Sequence, residues 1–288
     1  MAEVIVRGVS HYYEWIAAEP RSSEKPTLVF MHGWGGSARY WRSTAEALKS
    51  EFNCLLYDLR GFGRSQPSPV SDAEAPTTAD YVEMYGLETY ADDLAALLSE
   101  LNIESIYLNA HSTGSSIAVL FLNRYPERVK KAILTCNGIF EYEKKSFDQF
   151  YKFGGYVVQF RPKWLATIPG IDRLFMARFL TQPIPASERK AFLEDFLMAD
   201  YGAAIGTMFS AVSEQAATEM PQEFAQLTVP TLLVSGEFDQ IIPAAMGEKA
   251  AGLSEKVEFV LIPKTGHFPM LEDPKTYLGK IKPFLQAA

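Results

Sequence analysis

Residues 105–122 constrain the fold more than any other stretch of this chain. Ser105-Ile-Tyr-Leu-Asn109 reads as a strand, Ile117-Ala-Val-Leu-Phe-Leu122 reads as an apolar helix, and Ala110-His111-Ser112-Thr113-Gly114 makes the turn toward that helix. A chain that passes from strand to helix so quickly must bend sharply, so the residues two before and two after the bend pack together. Ala110 and Gly114 are small enough to allow this. A small-x-Ser-x-small pattern in that setting is the mark of a nucleophile elbow, which stands its serine hydroxyl above the sheet. Free N–H groups and the dipole of the following helix favour negative charge developing there. The common form of the turn has glycine where this chain has Ala110.

A serine nucleophile needs a base to take its proton and an acid to orient the base. The chain has four histidines, His11, His32, His111 and His267. His11 lies in an N-terminal strand-like segment far from any other signal. His111 occupies the variable position of the elbow, where its side chain points away from that of Ser112. His32 belongs to a glycine-rich loop. His267 stands in Pro263-Lys-Thr-Gly-His-Phe-Pro269, directly after the strand-like run Val257-Glu-Phe-Val-Leu-Ile262. A loop residue at a strand end can reach across the sheet, and His267 is therefore the predicted base. The predicted acid is Asp239, in Thr231-Leu-Leu-Val-Ser-Gly-Glu-Phe-Asp-Gln240, again past a strand's carboxyl end, where open α/β sheets place their sites. Glu237 competes; the Gly-x-x-Asp spacing and the following Ile241-Ile-Pro243 favour Asp239.

Acyl transfer passes through an oxyanion that needs preorganised donors, usually backbone N–H groups. Thr27-Leu-Val-Phe-Met31 reads as a buried strand and runs into His32-Gly-Trp-Gly-Gly36. That loop can offer the N–H of Trp34, and the residue after the nucleophile, Thr113, can offer the second. His32 is read as a structural hydrogen-bonding residue. Trp34, Phe140 and Phe268 are the predicted walls of a substrate pocket.

Taken together, the sequence resembles the α/β-hydrolase superfamily. The resemblance is carried by His32-Gly33-Trp34-Gly35-Gly36, Asp58-Leu-Arg60-Gly-Phe-Gly63-Arg-Ser65, Ala110-His111-Ser112-Thr113-Gly114, Gly236-Glu-Phe-Asp239 and Gly266-His267, in the chain order Ser, Asp, His of that superfamily. It covers the chain outside residues 138–225. It implies an α/β fold with a mostly parallel eight-stranded sheet flanked by helices, and a structural role for Asp58 and Arg60. Haloalkane dehalogenases and epoxide hydrolases of this fold use an aspartate nucleophile where this chain has Ser112, so the resemblance points to a serine hydrolase. A carboxylesterase acting on a small or medium apolar acyl substrate ranks first. A carbon–carbon bond hydrolase, with Asn109, Asn137 and Arg178 as available polar groups, or a perhydrolase remains open. So does a ligand receptor with slow turnover, because one fold hosts many functions.

The resemblance also predicts a helical cap at 138–225 between core segments 1–137 and 226–288. Phe140, Tyr142, Phe147, Phe150, Tyr151, Phe153, Tyr156, Phe160 and Trp164 crowd into 25 residues of it, and residues 141–180 carry seven basic side chains against four acidic ones. These aromatics can pack the cap onto the core, line an acyl pocket above Ser112, or touch a membrane surface. The net charge of −8 argues against nucleic-acid partners. No dinucleotide fingerprint and no Cys/His cluster with metal-ligand spacing is present, so neither cofactor nor metal is expected. No apolar run is long enough to span a bilayer. The first residues lack a signal-peptide pattern. Cys54 and Cys136 sit in apolar runs and read as buried thiols of a reducing, cytoplasmic compartment.

Strands are predicted near 3–7, 11–17, 27–31, 52–57, 105–110, 129–136, 231–235 and 257–262. Helices are predicted near 38–49, 87–101, 113–125, 244–251 and 274–285. In the helix at 87–101, Leu87, Tyr90, Ala91, Leu94, Leu97, Leu98 and Leu101 form one stripe, and Glu88, Asp92, Asp93 and Glu100 are assigned to water. Residues 66–80 are predicted to be a surface loop.

Overall fold

The computed structural model describes residues 2–18, 24–67 and 76–287. Eight strands, β1 (Ala2–Val6), β2 (Val9–Ile16), β3 (Thr27–Met31), β4 (Asn53–Tyr57), β5 (Ile106–His111), β6 (Val129–Thr135), β7 (Thr231–Gly236) and β8 (Val257–Ile262), form one sheet in the order β1-β2-β4-β3-β5-β6-β7-β8. The β1–β2 and β2–β4 pairs are antiparallel and all the others parallel. All predicted strands are present. β4 and β7 are buried along their whole length, as expected of strands covered by helices on both faces.

Twelve α-helices are described: α1 (Arg42–Leu48), α2 (Thr78–Met84), α3 (Leu87–Glu100), α4 (Thr113–Arg124), α5 (Lys144–Gln159), α6 (Ile171–Met176), α7 (Ala186–Met198), α8 (Tyr201–Ala211), α9 (Glu214–Ala225), α10 (Ala244–Ala251), α11 (Pro269–Glu272) and α12 (Pro274–Gln286). Side chains alternate across a strand, and the core divides accordingly. Val29, Met31, Leu55, Tyr57, Ala132 and Leu134 join α3 and α4 in one cluster; Leu28, Phe30, Cys54, Leu56 and Ile133 join α1 and α12 in the other. The insertion between β6 and β7 is helical, comprising α5 to α9.

The strand order reverses direction between β3 and β5, and open α/β sheets place ligands at the carboxyl ends beside such a switch point. Met31 pairs with Ala110, so the loop leaving β3 and the elbow leaving β5 emerge side by side.

Two expectations are corrected. Asp93 does not face water: it is buried under α3, where the Arg60 guanidinium binds both its oxygens at 2.7 and 2.6 Å and Arg7 approaches at 3.3 Å. A charge leaves the solvent side of a helix when cations and hydrogen bonds replace its water. The predicted loop at 66–80 ends early, because Thr77 and Asp80 form a reciprocal capping box that starts α2. That helix lies so close to α8 that a Cβ on Gly206 would meet the Tyr81 carbonyl at 2.2 Å. Residues 68–75 of the predicted loop lie outside the described residues.

Candidate active site

The turn after β5 holds Ser112 at φ 54°, ψ −125°, a backbone conformation that costs a non-glycine residue energy and persists only where its surroundings enforce it. Here they do. The Ser112 N–H donates to the Thr135 carbonyl of β6 at 2.8 Å, and Ser115 N–H donates back to the Ser112 carbonyl at 2.8 Å. A Cβ at position 114 would meet the His32 carbonyl at 2.4 Å, so glycine is required where α4 starts against the β3 loop. Ala110 is fully buried. Ser112 itself, just past the carboxyl end of β5, is only half-buried.

His267 reaches this serine from the loop after β8. Its Nε2 lies 3.0 Å from Ser112 Oγ, and its Nδ1 lies 2.7 Å from Asp239 Oδ2. Since the carboxylate only accepts, Nδ1 carries the proton and Nε2 is left to accept from the serine hydroxyl. The other Asp239 oxygen accepts the N–H groups of Ile241 and Ile242 at 2.8 and 3.0 Å. Burial pushes the Asp239 carboxyl up, but the hydrogen bond from His267 and the electrostatic pull of that ring, with the Ile242 and Ile241 N–H groups, outweigh it and hold it below the usual carboxylate range. Glu237, the sequence competitor, is exposed and accepts the Lys264 N–H at the surface. The β7 end and the histidine loop fit tightly: a Cβ on Gly236 would sit 1.9 Å from the Gly266 carbonyl.

The His32–Gly36 loop presses on the elbow from the other side, with the Gly33 Cβ position only 3.0 Å from Ser112 Cβ. Among the described residues, neither the Trp34 nor the Thr113 amide N–H has an acceptor. Thr113 is the first residue of α4, where a helix leaves its donors free. His32 is buried and accepts the Leu59 N–H at Nε2 (2.9 Å) while its Nδ1 donates to the Gly33 carbonyl (2.9 Å). Burial lowers its pKa, so it serves as a neutral bracket between two loops.

His111 points away from Ser112, as the elbow geometry requires, and joins a buried relay. Gly33 N–H donates to the Tyr40 hydroxyl (2.5 Å), Tyr40 donates to His111 Nδ1 (3.0 Å), and His111 Nε2–H donates to the His267 carbonyl (2.7 Å). Desolvation, with the neighbouring His267 adding to it, drives the His111 pKa far down, which fixes the neutral tautomer this relay needs. Cys136 Sγ lies within 4.8 Å of ring nitrogens of His111 and His267, but those rings are already hydrogen-bonded as described.

Sequence reasoning missed a clamp formed by Glu272 at the end of α11. Its carboxylate accepts four backbone N–H groups: Gly266 (2.9 Å) and Phe268 (3.2 Å), on either side of His267, and Thr181 and Gln182 (both 2.7 Å), between α6 and α7. The His267 N–H donates to the Phe179 carbonyl at 2.7 Å. The histidine loop is therefore stitched to the insertion. The only sequence signal was the acidic residue five positions after His267.

The three predicted pocket residues are placed differently from one another. Trp34 is half-buried, donates its indole N–H to the Ala204 carbonyl at 2.8 Å and packs on Phe196 at 5.5 Å. Phe140 is half-buried on the segment after β6. Phe268 is fully buried against Tyr40, His111 and Phe192, beneath the histidine loop. The insertion's aromatics that approach the site come from farther along the chain than the dense 140–164 cluster. Phe196 and Phe192 cover Gly35 and Gly36, and Phe179 packs on the His267 ring at 6.1 Å.

Asp58 accepts the N–H groups of Ala38 and Arg64 and binds the Arg64 guanidinium, a structural arrangement, as is the Arg60–Asp93 pair.

The chain belongs to the family of the alpha/beta hydrolase fold, whose model matches residues 26–274. It is similar to a proline iminopeptidase of Heyndrickxia coagulans, 23% identical over 278 residues and covering 90% of each chain. Among solved structures it resembles an esterase from Exiguobacterium antarcticum (TM-score 0.78, 19% identity, 99% of each chain). It also resembles a thermophilic esterase from Thermogutta terrifontis (TM-score 0.76, 22% identity, 99% of this chain and 98% of that one). The protein is thus a member of a hydrolase family, and no described helix is long and apolar enough to cross a membrane.

Proposed function

We propose that the protein is a serine hydrolase that cleaves a carboxylic ester of a small or medium apolar substrate through an acyl-enzyme. The observation that carries this reading is the unbroken relay from Ser112 Oγ through His267 to Asp239, at 3.0 and 2.7 Å. His267 Nε2 takes the hydroxyl proton as Ser112 Oγ bonds to the substrate carbonyl carbon. The carbonyl oxygen becomes an oxyanion that accepts from the Trp34 and Thr113 N–H groups. The imidazolium, stabilised by Asp239, then protonates the leaving alkoxide as the ester C–O bond breaks. Water, deprotonated by His267, releases the acid and restores Ser112.

The placement of polar groups favours an ester over a carbon–carbon bond. Asn109 Oδ1 accepts from the Tyr277 hydroxyl, the Asn137 amide donates to the Ser112 carbonyl and to Ser116, and Arg178 is exposed. A cytoplasmic setting agrees with two buried free thiols, Cys54 and Cys136. Turnover of p-nitrophenyl acyl esters tests the reading. Ser112→Ala is expected to lower kcat on the order of 10⁶-fold and to abolish labelling by a fluorophosphonate. A variant within tenfold of the parent would overturn it.

A further inference from the structure

Helix α5 turns an apolar face to solvent. Its buried side, with Phe147, Gly154 and Val158, lies at one helical phase, and the Gly154 Cβ position would touch Met208 of α8 at 2.6 Å. On the opposite side Phe153 and Tyr156, with Phe160 just past the helix end, spaced i, i+3, i+7, are 67%, 61% and 67% exposed. Trp164 in the following turn is 56% exposed and Leu174 on α6 73%. A surface helix ordinarily sets charged residues on that side, and a cluster of exposed large apolar side chains marks an interaction site.

The segment that carries this face is mostly positive. Residues 144–178 hold seven basic side chains and two acidic ones, on a chain whose net charge is −8. Lys145, Lys152, Lys163 and Arg173 are exposed, whereas Asp172 is buried against Arg189, and Asp148 sits 3.4 Å from Lys144. We infer that the outer face of α5, with Trp164, docks on the surface of an anionic lipid bilayer. Tryptophan and tyrosine rings belong at the headgroup level, and lysines and arginines are drawn to an anionic surface. A two-fold dimer through the same face would set this positive segment against its own copy, because an isologous interface repeats one patch on both subunits. Lipid phosphates supply the opposite charge and an acyl layer for Phe153 and Phe160. The inference does not depend on the catalytic reading.

The test is co-sedimentation of the full chain with phosphatidylcholine vesicles with and without phosphatidylserine, over a salt series. The protein is expected to bind only the anionic vesicles and to be released by salt. The double variant Phe153→Ser, Phe160→Ser should partition at least tenfold less, and Lys152→Glu, Lys163→Glu should bind several-fold less at low salt. Both variants should keep the parent melting temperature and ester turnover. No binding to anionic vesicles at low salt, or equal binding by the variants, overturns the inference. So does a dimer in solution that the double serine variant dissolves, which would make this face a contact between copies.

Discussion

At the scale of single residues, the site depends on which nitrogen of each histidine holds its proton. Asp239 sets that choice for His267, and the His267 carbonyl together with Tyr40 sets it for His111. On the proposed reading, Asp239→Asn, whose amide can donate to the imidazole, is expected to favour the wrong tautomer and lower kcat by about 10⁴-fold in ester assays, the loss known for serine triads. The same substitution has a pH signature. The folded-state pKa of Asp239 is depressed, so its ionised form stabilises the fold fully above the ordinary aspartate value of about 3.9. That contribution disappears as pH falls through the lower folded value. The stability gap between parent and Asp239→Asn in urea unfolding should therefore be widest near neutrality and close in acid. A gap that grows on acidification would refute the assignment of that charge. Ser112, Asp239 and His267 were legible because each follows a recognisable strand, and a strand's carboxyl end is where such groups gather.

At the scale of elements, α11 is only four residues long, yet its last one holds two segments in place. Glu272 meets donors about 90 positions away, at Thr181 and Gln182, and no local pattern reveals a partner that distant. Glu272→Gln replaces one accepting oxygen with a second donor facing N–H groups. Hydrogen bonds to a charged acceptor contribute about 1.5–3 kcal/mol each, and a base displaced by ~1 Å can cost about 10²-fold in rate. We expect kcat to fall 10–100-fold with an unchanged far-ultraviolet circular dichroism spectrum and a smaller change in KM. Parent-like kcat would show that the histidine loop is positioned without this clamp. The same long-range blindness explains α2. Its capping box was present in the sequence at Thr77 and Asp80, but its seat against α8 was not.

At the scale of the whole molecule, the alternation of strands and helices fixed the sheet's architecture in advance, because a parallel strand needs a crossover and a buried strand shows an apolar run. Burial of charge was not legible. Asp93 looked like one more acidic residue on the wet side of α3, but it ties that helix to Arg60 of the β4 loop and to Arg7. Asp93→Ala leaves the mostly buried Arg60 without its partner and is expected to destabilise the fold by about 3 kcal/mol, read as a lower urea midpoint at unchanged slope. A change under 1 kcal/mol would mean that water replaces the carboxylate. The placing of the insertion's aromatics was equally hidden: those that approach the site come from residues 179–196, and several of the dense cluster before them face outward. Finally, the main chain around His267 is spliced to the insertion through Phe179 and Glu272. Any swing of the insertion that lifts this seam would also slacken the imidazole, so along that edge mobility and a well-held His267 ring oppose each other. Motion at an edge away from that seam would leave the hydrogen bonds of His267 to Ser112 and Asp239 in place.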